Sequence, residues 1–231
     1  MSFQNLPAGK KALLLDMNGT FMFGHDRFSK EEDYYQYYRS TGGNLDSEQV
    51  RNIVESAYGY LDSRYADQEY RYRFPSLEYA IRATDRISLD ENELDRIVET
   101  FSFHEMGYIP EEYAGALKSL AQQYSLGLVS DLWSPKHQWQ KLLDEMGLSR
   151  LFTGCSFSSD HGTVKPAAEP FEEVLHQLKL EKNQAIVIGD SIRRDLGGAL
   201  AAGIDCILVG GACHQDAVSC LPSLLDLTVI S

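Results

Sequence analysis

The sequence predicts an α/β fold, a Rossmann-like parallel sheet core carrying an inserted, mostly α-helical cap domain. Three observations lead there. Short β-rich apolar runs recur, and each ends in a polar residue or a glycine. Helical patterns lie between those runs, the alternation that builds right-handed βαβ units. From Phe23 to His104, about 80 residues carry no comparable run, far more than a loop spans.

The first run is KALLLD at 11–16, followed by SLGLVSD at 125–131, QAIVIGD at 184–190 and DCILVGG at 205–211. LFTGCSF at 151–157 is a weaker strand candidate between the second and the third of these. Near-continuous apolar runs of this length suit strands buried on both faces of a parallel sheet. Among the helical patterns, PEEYAGALKSLAQQY at 110–124 opens with a proline and two acids, which favours a helix start. SPKHQWQKLLDEMGL at 134–148 predicts Ser134 as N-cap, Pro135 at the first helical position and Gly147 as the stop. PFEEVLHQLKL at 170–180 and RRDLGGALAAG at 193–203 supply two more helices.

The long strand-free segment reads as four helices, at 30–43, 46–67, 75–87 and 90–105. The second and fourth begin with acids that can cap a helix. These assignments divide the chain into a core at 1–23 and 107–231 and a cap at 24–106. Ten of the thirteen tyrosines fall between Tyr34 and Tyr79, where they are expected to fill helix–helix contacts. The cap arginines Arg39, Arg51, Arg64, Arg71 and Arg73 are expected mostly to face water, and His25, a candidate proton donor beside Gly24 at the cap entrance, is expected to be an exposed linker residue. Gly24 and the segment at 106–107 are the expected hinges.

A net charge of -13 works against binding nucleic acid or an anionic membrane. It leaves room for a small anionic substrate, because a metal ion can invert the local field. No apolar stretch approaches the ~20 residues of a membrane helix. The start, MSFQNLPAGKK, lacks the order of a signal peptide, so a cytoplasmic location is expected. The four cysteines form no CxxC pair, and the Cys213–His214 neighbourhood does not match usual zinc spacing. Cys206, in the run CILV, reads as a small core hydrophobe.

In open α/β sheets ligands bind at the carboxyl ends of the strands. Here the first strand ends in Asp16, the SLGLVSD run in Ser130 and Asp131, and the QAIVIGD run in Asp190 and Ser191. Lys165 lies in HGTVKPAAEPF, before the last of these. Converging carboxylates, a hydroxyl and a lysine suggest phosphoryl transfer. An aspartate can serve as covalent nucleophile. Magnesium takes carboxylate oxygens, which Asp16 and Asp190 can offer. Ser130 and Lys165 can hold phosphate oxygens, and Asp131 is a further binding candidate or a hydrogen-bond acceptor that shapes its loop.

With these residues in place, the chain resembles a haloacid dehalogenase superfamily hydrolase with a helical cap after the first strand. The family's first motif, hhhhDxDGT followed by an apolar residue, is matched within the stretch Leu13–Phe21 except at one position. The later motifs are matched by LGLVSD, by GTVKP and by IGDSIRRDLGGALAAGI at 188–204. The resemblance implies a Rossmann-like core, a mobile cap, magnesium and a small phosphorylated substrate. It implies metal support from Asp195 and from the backbone carbonyl of Asn18. KPAAEPF lacks the acid common after KP in the family, so the loop carrying Lys165 is anchored differently.

Position 18 is where the resemblance breaks. Family phosphatases have an acid there, which protonates the leaving group and then activates water. An amide does not titrate near neutral pH and cannot do either. Three outcomes are open at that point: a phosphatase that is slower or uses another acid, other chemistry at Asp16 including dehalogenation or a prolonged covalent intermediate, and a non-catalytic phosphate binder.

Overall fold

In the computed structural model of the protein, residues 6–7, 9–84 and 87–227 are described. Six parallel strands form one sheet in the order β3-β2-β1-β4-β5-β6. They are β1 (Ala12–Leu15), β2 (Ser125–Ser130), β3 (Phe152–Phe157), β4 (Ala185–Gly189), β5 (Asp205–Leu208) and β6 (Ser219–Cys220). All five expected strands are present, with the short β6 in addition. The two-residue period divides the inner strands between two hydrophobic layers. Leu13, Leu15, Ile186, Ile188 and Ile207 face one layer. Ala12, Leu14, Val187, Cys206 and Leu208 face the other.

Four helices follow β1: α1 (Tyr34–Ser40), α2 (Ser47–Ala66), α3 (Leu77–Thr84) and α4 (Glu91–Glu105). Asp46 starts α2 with a reciprocal capping box to Gln49, and Asp90 accepts from the Glu93 N–H to start α4. The expected continuation of α3 through Asp85 and Arg86 lies outside the described residues. These helices bury a hydrophobic cluster of their own, with Tyr34, Tyr38, Leu61 and Phe101 at its centre. Val164 joins that cluster and Trp133 packs against it from the loops of the sheet.

The remaining helices flank the sheet: α5 (Glu111–Leu120), α6 (His137–Glu145), the single turn α7 (Ser158–His161), α8 (Glu169–Leu178) and α9 (Gly197–Ala202). A π-helical turn, Ile192–Leu196, leads into α9. Ser134 is not the cap of α6. The helix begins three residues later, because the Ser134 N–H is bonded to Glu105 Oε2 at 2.9 Å and ties that loop back to α4. Cys206 is buried as expected. Cys213 and Cys220 instead form a disulfide, since the loop after β5 brings their Cα atoms to 5.3 Å. That pairing leaves neither thiol for zinc. Among the described residues no helix is long and apolar enough to cross a membrane.

The two connections between the sheet and the four helices are paired with each other. Phe23 and Tyr108 exchange backbone hydrogen bonds of 2.9 and 2.8 Å, and the Asp26 and Arg27 N–H groups donate to Glu105 and His104 carbonyls. Arg27 adds side-chain bonds to the Gly24 and Met106 carbonyls at 3.0 and 2.7 Å.

Candidate active site

The chain runs outward from β1 through β2 to β3, then returns to place β4 on the other side of β1. Asp16 and Asp190 follow these two central strands and meet at the switch point, where open α/β sheets bind ligands. The Asp16 N–H donates to the Ile188 carbonyl at 2.9 Å, which fixes its backbone to the neighbouring strand. The chain then turns sharply, with Phe21 and Met22 N–H groups both returning to the Met17 carbonyl. Gly19 takes φ +74° in that turn, and a Cβ on it would lie 2.2 Å from Asp190 Oδ2. A Cβ on Gly189 would likewise stand 2.3 Å from Asp195 Cγ. Both glycines make room for a carboxylate.

Oxygens of Asp16, Asp190 and Asp195 lie within 4.8 Å of one another. Lys165 enters this cluster, 2.5 Å from Asp16 Oδ1 and 2.7 Å from Asp195 Oδ1, with all but 3% of its surface buried. Burial pushes the Asp16 carboxyl up to about 8, opposed by the Lys165 charge and reinforced by Asp195. Burial pulls Lys165 down, but Asp16, Asp195 and Asp131 outweigh it and hold the ammonium protonated. Asp190 is raised, first by burial and then by Asp195. An all-oxygen donor set with more buried carboxylates than cations is what a hard divalent cation requires, so these residues fit magnesium.

A cavity of about 220 Å³ opens above the cluster, smaller than the ~300 Å³ at the low end for drug-sized ligands. Asp131 forms one wall. It accepts from the Lys165 N–H and from the Tyr65 hydroxyl at 2.8 Å. The Arg194 guanidinium covers the Tyr65 ring and donates to the carbonyls of Tyr65 and Lys165 at 2.8 and 2.7 Å. Arg193 donates to the Ala66 carbonyl at 2.7 Å. The two arginines thus satisfy carbonyls at the C-terminus of α2, where cations are favoured. Opposite, Glu105 accepts the Trp133 and Ser134 N–H groups at 2.7 and 2.9 Å. Burial pushes Glu105 up to about 7, against those hydrogen bonds.

Of the candidate site residues, Asp16, Asn18, Asp131, Lys165, Asp190 and Asp195 line this cavity. Ser130 ends β2 nearby with its Oγ buried and unpartnered, but it is not part of the lining. His25 is not an exposed linker residue: its side chain is 27% exposed and lines the cavity beside Asp26, because the pairing of the two connections turns it inward. None of the cap arginines lines the cavity; Arg39 and Arg73 are exposed as expected, whereas Arg51, Arg64 and Arg71 are half-buried. Tyr34 and Tyr38 fill helix contacts, whereas Tyr65 faces the site. Tyr65, Glu105, Trp133 and Arg194 were not foreseen. Glu105 had a readable signal: an acid in the last turn of a helix opposes the helix dipole and calls for a separate reason.

Comparison with known proteins bears on the family and the fold. A family profile described as haloacid dehalogenase-like hydrolase matches residues 47–209. The glyceraldehyde 3-phosphate phosphatase of Pyrococcus furiosus is 27% identical over 143 residues, 59% of this chain and 58% of that one. The chain therefore spans less than two thirds of that relative's length. The pyrophosphatase PpaX of Halalkalibacterium halodurans is 25% identical over 60% of this chain and 71% of its own. Among solved structures, a 2-haloacid dehalogenase from Pseudomonas syringae superposes with TM-score 0.66 at 20% identity, covering 95% of this chain and 96% of that one. A HAD phosphatase from Thermococcus onnurineus gives 0.63 at 22% identity, covering 94% and 95%. At those identities the likeness is one of fold. The profile spans well over half of the sequence, so the chain belongs to the haloacid dehalogenase-like hydrolases.

Proposed function

We propose that the protein is a magnesium-dependent phosphatase acting on a small phosphorylated metabolite, with Asp16 as nucleophile. The observation that carries this reading is the meeting of Asp16, Asp190 and Asp195 within 4.8 Å at the switch point, with Lys165 among them. Six carboxylates line the cavity against the two permanent cations Lys165 and Arg194, so an anionic substrate needs a metal to enter. Magnesium, when bound by Asp16, Asp190, Asp195 and the Asn18 carbonyl, would neutralise that field and polarise the phosphoryl group.

The chain's own residues would do the rest. Asp16 is aimed by a buried strand and needs little reorganisation to attack phosphorus. Lys165 would hold a phosphate oxygen, and Ser130 would offer its unpartnered hydroxyl to another once substrate shifts the loop. Asp131, bonded to the Lys165 backbone, orients that lysine. The helices 24–106 act as the cap, contributing Tyr65 and Glu105 to the wall. The small cavity favours a compact substrate over a nucleotide. The phosphatase names of two relatives support the same class.

A screen of small phosphate monoesters with magnesium tests the reading, run on the wild type and on Asn18→Asp together. Magnesium-dependent phosphate release that Asp16→Asn abolishes is the expected result. Magnesium binding without turnover of any ester in either protein would leave a phosphate binder. Metal-independent halide release from a 2-haloacid would replace phosphoryl transfer altogether.

A further inference from the structure

The amide at position 18 leaves the cavity without the usual acid and base, and four carboxyl or imidazole side chains outside the metal cluster line it: His25, Asp26, Glu105 and Asp131. Glu105 spends both oxygens on backbone N–H groups. Asp131 is engaged by the Tyr65 hydroxyl and the Lys165 N–H. The Asp26 side chain is 55% exposed and lies 3.7 Å from His25 Nε2. His25 Nδ1 is different: it is buried and has no hydrogen-bond partner, and the same is true of Asn18 Oδ1 in the same cavity. Buried polar atoms are nearly always paired, so two orphans in one small cavity mark where a polar ligand atom belongs.

The position of His25 is held from both sides. Phe23 is locked to Tyr108, the Asp26 N–H to the Glu105 carbonyl, and Arg27 to three carbonyls of the paired connection. Asp26, on the imidazole's own segment, stands 3.7 Å from Nε2, and Asp190 after β4 lines the same cavity. The carboxylate beside Nε2 favours keeping a proton on that nitrogen, so Nδ1 is the nitrogen that gives up and takes back the second proton.

We propose that His25 is the general acid and base of this site, doing what Asn18 cannot; this rests on the phosphatase reading above. As an Asp16 oxygen bonds to phosphorus and the ester P–O bond breaks, the Nδ1 proton passes to the leaving oxygen and the imidazole becomes neutral. Nδ1 then accepts a proton from water. The water oxygen bonds to phosphorus, the Asp16–phosphorus bond breaks, and phosphate leaves with the imidazolium restored. Histidine suits both halves because one ring nitrogen can give up a proton and take it back while the other keeps its own.

The test uses His25→Gln and aryl phosphates whose leaving groups differ in basicity, in single-turnover release with magnesium. Expected is a loss of ~10²–10⁴-fold on phenyl phosphate and a much smaller loss on p-nitrophenyl phosphate, whose leaving group needs no proton. Adding Asn18→Asp to the His25→Gln protein should restore the rate. An equal loss on both esters, no loss, or no restoration would overturn the role. NMR of the imidazole supplies a readout free of turnover: with magnesium and aluminium fluoride, which mimics the transferring phosphoryl group, the His25 Nδ1 signal should move. Analogue binding with that signal unmoved removes the acid–base role alone. Neither analogue binding nor hydrolysis removes the phosphatase reading, and this role with it.

Discussion

Lys165 Nζ stands 2.5 Å from Asp16 Oδ1, although 149 residues separate them in sequence. The same ammonium reaches Asp195, so one cation serves two buried acids. Lys165→Met leaves those acids facing each other without a counter-charge. Breaking a buried ion pair from one side costs roughly 3–5 kcal/mol. Urea unfolding at pH 8 should register a loss of that order, and added magnesium should recover more stability in the variant than in the wild type. Unchanged stability would mean the pair contributes nothing net.

Gly19→Ala tests how Asp190 is seated. The new methyl would occupy the place of the Asp190 carboxylate, at a φ that L-residues rarely adopt. Destabilisation beyond ~1 kcal/mol is expected, together with at least tenfold weaker magnesium binding by calorimetry. Full magnesium affinity in the variant would show that Asp190 is not a ligand.

Glu105 gives the protein a dependence on pH. Its folded-state value is raised from 4.5 to about 7, so folding favours the protonated form. Stability from this group is therefore full below about 4.5 and falls as pH rises through 7. Glu105→Gln removes the titration. Across that window the wild type should lose up to about 3 kcal/mol relative to the variant, measured by denaturant unfolding at several pH values. A difference that does not change with pH would contradict the raised value.

Arg27 stitches the two connections together, and the expected hinges lie within its reach. Arg27→Ala should speed amide exchange at Phe23 and Tyr108, whose mutual hydrogen bonds it flanks, while exchange in β1 and β4 stays slow. Exchange at the joints as slow as in the strands, in both proteins, would argue against a moving cap.

The sheet, Asp16 and Asp190 were legible because each of these two acids ends an apolar run that could only be a buried strand, whereas Asp195 came only with the family resemblance. Asp16 and Asp190 are read from local pattern alone, and Lys165 from its short motif. Tyr65, Trp133 and Arg194 were not legible for a physical reason: their approach depends on how helices with their own core dock onto loops of the sheet. Tyr65 has the same polar-aromatic character as the other cap tyrosines, and only tertiary packing separates it from Tyr34 or Tyr38. His25 was visible in the sequence but misjudged, since a residue between two elements reads as solvent-facing until the partner connection is known. The Cys213–Cys220 bond was hidden likewise, as seven-residue spacing alone implies no contact.

That bond bears on how molecules of this protein meet one another. An outermost strand offers unpaired backbone groups on which another chain can template itself, the usual first step of aggregation through sheets. Here β6 is two residues long, and its last residue is covalently tied to the loop that leads into it. The brevity leaves few groups on offer, and the tether keeps the strand from peeling back to expose the longer edge of β5. The staple thus guards the border of the sheet farthest from β3, and its contribution is to colloidal behaviour rather than to chemistry.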